Sequence, residues 1–430
     1  MIKRERYLNE LKRKMWNGSI KVITGLRRSG KSFLLNQIFF NYLISSGIDE
    51  KRIIKFAFDS ADDLTKIGEN LVDLEKGKRK VSYKKFMAYV GPLLQDQGQH
   101  YLLLDEIQRL DSFEFVLNGY LSKGNTDIYV TGSNSRFLSS QVITEFRGRG
   151  DEIHLLSLSF SEFYAYRKGD IRDALQEYMV YGGLPQVVLA SDDKGKIDYL
   201  NSQMEKTFLK DVLDKHQINN VRELGELLTI IASGISSLTN PAKLARAFKS
   251  KRSSSSLSED TISDYISYFE ESFLLSKSLR YDVKGKSYIN TPYKLYFEDV
   301  GLRNARLGFR QVEYNHIMEN IIYNELRYRG YSPDVGVVEV RSKKEGKDER
   351  KYYEVDFIVN EGSQRIYIQS AYNIEDEEKM NQETKSLDNI SDSFKKIVVV
   401  KDNIVPHQSE KGYLFIGLTK FLCDQNSLVF

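Results

Sequence analysis

Along the first 165 residues, short apolar and β-branched runs alternate with stretches whose apolar positions recur at helical spacing. The runs are Ile20 to Thr24, Ile53 to Phe58, Tyr101 to Leu104, Asp127 to Thr131 and Glu152 to Leu156. Strands apolar on consecutive positions bury both faces, so this alternation predicts an α/β domain with a parallel sheet covered by helices. From about Phe160 to Ile230 the pattern turns helical. It is interrupted at Tyr181-Gly182-Gly183-Leu184-Pro185, whose glycines and proline mark a turn and a candidate hinge.

Farther on, Leu238 to Phe248 opens with a capping residue and an early proline, and a second helix carries Ile262, Tyr265, Ile266, Phe269 and Phe273 at helical spacing. Two short helices around the serine run Ser253 to Ser256, followed by the hairpin-like Leu279 to Ile289, predict a winged helix-turn-helix. Beyond Pro292, a helix from Tyr314 to Arg329 precedes strands at Val335 to Arg341, Tyr352 to Val359 and Arg365 to Ala371, with a buried strand at Lys395 to Val400. That order is α+β. The domains expected are 1–165, a helical linker at 166–215, a winged helix at 216–290 and a small α+β domain at 291–430.

Composition narrows the class. A chain of 430 residues with 41% hydrophobic and 29% charged residues is ordinary for a soluble protein. A net charge of +3 makes no case for nucleic acid, so that case rests on the local cluster Lys243, Arg246, Lys249, Lys251 and Arg252. A solvated face on a protein-binding module accounts for the same cluster. No apolar run is long enough for a bilayer, and the start of the chain lacks a signal peptide, so a cytoplasmic protein without membrane contact is expected. Cys423 stands alone, which excludes an internal disulfide, and the five histidines are too scattered for a zinc site.

The chemistry concentrates early. Gly25-Leu26-Arg27-Arg28-Ser29-Gly30-Lys31-Ser32 has the spacing of a Walker A loop, and it lies between a β-branched run and the apolar helix from Phe33 to Tyr42. The glycines let backbone amides approach an anion, Lys31 reaches β- and γ-phosphates, and Ser32 ligates Mg²⁺. The candidate nucleotide contacts are Gly25, Arg28, Ser29, Gly30, Lys31, Ser32 and Phe33. Tyr101-Leu102-Leu103-Leu104-Asp105-Glu106 reads as the matching Walker B strand. Asp105 is then the second metal residue, and Glu106 is the general base that polarises water.

Over nearly its whole length the chain resembles prokaryotic AAA-type ATPases whose C-terminal part is the domain called DUF4143. GLRRSGKS, LLLDEIQ at 102–108, VTGSNS at 130–135, FRGR at 146–149, LSLSFSEF at 156–163, YGGLP at 181–185 and EVDFIV at 354–359 carry the resemblance. It implies ATP as the nucleotide, Asn134 or Ser133 as a sensor of the γ-phosphate, and Arg149 or Arg147 as an arginine finger acting in cis or from a neighbouring copy. It also implies a restriction-endonuclease-like fold at 291–430, with Asp356 and Glu319 as metal carboxylates. Gln369-Ser370-Ala371 stands where that fold carries Glu-x-Lys, so a binding or scaffold domain is expected there rather than a nuclease. The expected function is a Mg²⁺-dependent ATPase moving its C-terminal domains, on DNA or a protein partner, with a homo-oligomer left open. The alternatives are a nucleotide-gated switch with little hydrolysis and an ATP-dependent nuclease.

Overall fold

The computed structural model describes residues 2–71, 80–132, 146, 148–205, 212, 213, 216, 218, 220–251, 257–310, 312–344, 347–373 and 377–428. The chain divides into two compact units, Met1–Leu156 and Ser157–Phe430.

In the first unit the strands are β1 Ile20–Thr24, β2 Ile53–Ala57, β3 His100–Asp105, β4 Thr126–Thr131 and β5 Gly150–His154. They form one parallel sheet in the order β2-β3-β4-β1-β5. All the runs expected as strands are therefore strands of this sheet. Their apolar side chains, among them Val22, Phe56, Leu102, Leu104 and Val130, form a continuous core with Phe86, Phe113 and Leu117 from the covering helices. The other face of the sheet buries an ion pair: the Lys21 ammonium is fully buried against Asp127, which also accepts from the Tyr129 hydroxyl at 2.7 Å and the Trp16 amide at 3.0 Å. Burial lowers the Lys21 pKa, and the Asp127 carboxylate opposes that shift.

The second unit begins with helices. Ser159 and Glu162 cap the helix Phe160–Arg167 reciprocally, which explains the serine and glutamate of LSLSFSEF by local folding alone. The YGGLP turn is a locked joint, not a hinge. A Cβ on Gly183 would lie 2.3 Å from the Leu158 carbonyl oxygen, and one on Gly301 would lie 2.0 Å from that of Tyr181. The buried Asp299 carboxylate accepts from the Gly183 amide at 2.9 Å, while the Asn304 amide donates to the carbonyls of Met179 and Val180 at 3.0 and 2.8 Å. Backbone pinned at each of these points has no freedom left to swing.

Helices Val221–Ser233, Pro241–Lys251 and Glu259–Glu271 follow, the second packed on the third. A mixed nine-stranded sheet completes the unit. Its strands are β6 Leu238–Thr239, β7 Leu275–Asp282, β8 Ser287–Phe297, β9 Asp334–Lys344, β10 Lys347–Glu361, β11 Gln364–Ala371, β12 Lys395–Val400, β13 His407–Gln408 and β14 Leu414–Gly417. The order is β13-β14-β12-β11-β10-β9-β7-β8-β6. The hairpin β7–β8 thus runs through position 290 and joins the downstream strands by parallel pairing of β7 with β9. No helix among the described residues is long and apolar enough to cross a membrane.

Candidate nucleotide site

Strand order decides which loops meet. β4 lies between β1 and β3, so the loop after β1 and the carboxylates ending β3 are bridged by the end of β4. All three lie at the C-terminal edge of the parallel sheet, where open α/β sheets bind ligands.

The loop has a strained, dedicated shape. Gly25 has φ +128°, and a Cβ there would sit 2.2 Å from the Leu155 carbonyl oxygen, so no other residue fits. Arg28 and Gly30 also adopt left-handed conformations, with φ of 68° and 98°. Lys31 starts the helix and is buried, and its ammonium donates to the carbonyls of Gly25 and Leu26 at 2.9 and 3.0 Å. Ser29 Oγ is buried and has no hydrogen-bond partner among the described residues. A buried hydroxyl without a partner inside a glycine-shaped cradle fits an anion supplied from outside the chain. Arg28, Ser32 and Phe33 are exposed around this loop.

Asp105 is buried at the end of β3. Its Oδ1 accepts from the Thr131 hydroxyl, and the Asn36 amide on the helix after the loop approaches Oδ2 at 3.4 Å. Glu106 follows with φ +53°, its amide donating to Thr131 Oγ1 at 3.1 Å, and the Gln108 amide donates to its carboxylate. Thr131 therefore ties the Asp105 carboxylate to the Glu106 backbone amide, a role the sequence reading missed. A β-branched hydroxyl residue ending a strand beside the Walker B strand is the signal that points to it. Beside the first glycine, Thr24 Oγ1 donates to Glu152 at 2.6 Å and lies 3.1 Å from His154 Nδ1.

Arg149 is not brought to this site within the chain. It precedes β5 and its carbonyl accepts from the Ile20 amide at 2.8 Å, which places it at the start of β1, the edge opposite the loop. A strand of this length separates those edges by about 16 Å at ~3.3 Å per residue. Ser133, Asn134 and Arg147 lie outside the described residues.

With this geometry in place, similarity to known proteins becomes informative. Residues 17–164 match the family described as AAA domain, and residues 172–313 match a domain of unknown function, DUF8612, where the sequence resemblance points to DUF4143. An uncharacterized protein of Haemophilus influenzae is 33% identical over 405 residues, covering 93% of each chain. The chain belongs to that protein's family, with an AAA domain in its N-terminal unit. An uncharacterized protein of Methanocaldococcus jannaschii is 28% identical over 384 residues, covering 85% of this chain and 77% of its own. A Walker-type ATPase of Pyrococcus abyssi shares the fold with a TM-score of 0.50 at 16% identity, covering 71% of this chain and 96% of its own.

The second unit of this AAA-domain chain holds a buried acidic centre. Glu319, on the helix Tyr314–Tyr328, and Asp356, on β10, are brought together as expected, but through a third residue. Lys294 Nζ, from β8, lies 2.8 Å from Glu319, 2.7 Å from Glu354 and 3.3 Å from Asp356. Tyr296 donates to Glu319 at 2.8 Å, and the Ser370 amide donates to Asp356 at 2.9 Å. Burial lifts the Glu319 carboxyl to about 8, while the surrounding carboxylates hold the Lys294 pKa above its ordinary value despite burial. The residues do not fit a divalent cation, because an ammonium already lies among the carboxylates. Gln369 and Ala371 also supply neither a third charge nor a lysine.

Proposed function

We propose that this protein is a Mg²⁺-dependent ATPase whose nucleotide state drives movement of its C-terminal unit. The observation that carries the reading is the convergence of the Walker A loop, with its unpartnered Ser29 hydroxyl, on Asp105 and Glu106 at one sheet edge. Gly25, Gly30 and the amides opening the helix at Lys31 cradle the phosphates, and Lys31 exchanges its loop carbonyls for phosphate oxygens. Ser32 and Asp105 are the residues that would hold Mg²⁺, whose chemistry is to neutralise charge on the β- and γ-phosphates. Glu106 takes the proton of the attacking water.

The C-terminal unit serves in this reading as a docking module, not as a nuclease, because Lys294 fills its acidic centre. The helices Pro241–Lys251 and Glu259–Glu271 with the hairpin β7–β8 support a winged-helix reading. Lys243, Arg246 and Lys249 suit DNA phosphates, whereas the exposed acids Glu259, Asp260 and Asp264 on the neighbouring helix repel them and confine such contact to the first helix.

The test is phosphate release by wild type, Lys31→Ala and a Lys243/Arg246/Lys249→Ala variant, with and without duplex DNA. Lys31→Ala should abolish release with the fold intact, and turnover unchanged in it would refute the reading. If DNA is the partner, it should stimulate wild type and not the triple variant. Tight ATP binding with no turnover under any condition would favour a nucleotide-gated switch.

A further inference from the structure

We propose that Gln108 is a positioning residue for hydrolysis: its amide nitrogen fixes the Glu106 carboxylate and its carbonyl oxygen accepts a hydrogen bond from the second hydrogen of the attacking water. The proposal rests on the ATPase reading above.

Glu106 sits in the left-handed region at φ +53°, a conformation that is unfavourable for a non-glycine residue and so needs to be held in place. Its surroundings hold it there. Its amide bonds to Thr131, the helical turn Ile107–Arg109 follows directly with Ile107 and Leu110 fully buried, and Gln108 Nε2 donates to Glu106 Oε2. The carboxylate only accepts, which fixes the orientation of the Gln108 amide with Nε2, and not Oε1, bonded to Glu106. Oε1 is buried and has no hydrogen-bond partner among the described residues. A buried carbonyl left unpaired is unfavourable, so it marks a position for a donor that the chain does not provide.

Water supplies that donor. The amide nitrogen and oxygen belong to one planar group, so Oε1 is adjacent to the carboxylate, and one water can donate a hydrogen to each. With both hydrogens engaged, its lone pair is directed away from the two acceptors. Its oxygen then bonds to the γ-phosphorus, the proton on the Glu106 side passes to Glu106, and the bond from phosphorus to the β,γ-bridging oxygen breaks to release ADP. Gln108 exchanges no proton. It orients the nucleophile and the base.

The experiment compares wild type, Gln108→Leu, Gln108→Glu and Glu106→Gln for affinity toward a fluorescent ATP analogue with Mg²⁺, kcat, KM and the pH dependence of kcat. Gln108→Leu should keep affinity and KM within about twofold and lose at least ~10-fold in kcat. In Gln108→Glu the acid limb of the pH profile should move upward, because a second carboxylate stands beside the base. In nucleotide-free protein the side-chain ¹⁵N amide signal of Gln108 should shift between wild type and Glu106→Gln, where the carboxylate acceptor is gone. A Gln108→Leu variant with wild-type kcat, or one losing affinity and kcat together, would overturn the proposal while leaving the ATPase reading intact. A wild type that binds ATP without turnover would instead remove the ATPase reading and this proposal with it.

Discussion

Gly25 shows how a single missing methyl group shapes the site. Its φ of +128°, and a Leu155 carbonyl oxygen so near that a Cβ would sit 2.2 Å from it, allow the chain to turn straight from β1 into the loop, so that the Lys31 ammonium folds back over it. Replacing it with alanine should cost about 3 kcal/mol, combining a forbidden backbone conformation with a backbone clash that cannot move away. Urea denaturation of Gly25→Ala should show that loss together with loss of ATP binding, and an unchanged midpoint with retained affinity would contradict this account. Residues of this kind were readable from the sequence, because glycine, lysine and hydroxyl spacing encodes backbone geometry directly. Thr131 and Gln108 were not. What matters about them is which polar atom they meet, and that follows from the pairing of β4 with β3 and from the turn after Asp105.

β8 makes the same point for an entire strand. Pro292-Tyr293-Lys294-Leu295-Tyr296-Phe297 reads as a half-aromatic strand with one lysine, and nothing in that pattern names the carboxylates the lysine meets. Those come from the helix Tyr314–Tyr328 and from β10, far along the chain, where the register shifts between Val355 and Ile358 around Asp356. The resulting cluster should govern the pH dependence of the second unit. Glu319 titrates at about 8 in the folded protein against an ordinary 4.5. Between those values the folded protein retains a proton that the unfolded chain has released, so stability falls as pH rises through this window. Lys294, whose pKa is raised above 10.5, remains charged throughout and contributes no slope there. The urea midpoint should therefore drop from pH 5 to pH 8 in wild type and drop less in Glu319→Gln. Equal slopes in the two proteins would show that Glu319 is not the group responsible. The strands β9 to β12 were legible because consecutive valines and isoleucines mark buried strands. The union of β7 and β8 with them in one sheet was not, since parallel pairing of β7 with β9 leaves no local trace.

The direction of the parallel sheet sets a constraint on how complete molecules work together. Every strand runs the same way, so the Walker A loop, Asp105 and Glu106 occupy one edge while Arg149 occupies the other, next to Ile20. An arginine about 16 Å from the loop, measured along five residues of strand, cannot stabilise charge on a phosphate bound by its own chain. If Arg149 has the finger role that the resemblance implies, it acts on nucleotide held by another copy, and the protein works as a homo-oligomer joined head to tail across these two edges. That arrangement makes a quantitative demand. Lys31→Ala and Arg149→Ala should each be inactive alone, for different reasons, and each retains what the other lacks. Mixed in equal amounts under exchange, a site is competent only when an Arg149→Ala chain binds nucleotide and a Lys31→Ala chain supplies the arginine. Random pairing gives about a quarter of the sites that composition, whatever the number of copies in a closed ring. Recovery of about a quarter of wild-type turnover on mixing, and none in either variant alone, would establish action between copies. Full activity in Arg149→Ala alone would instead leave the residue as an exposed turn at the start of β5 and remove the argument for a neighbour.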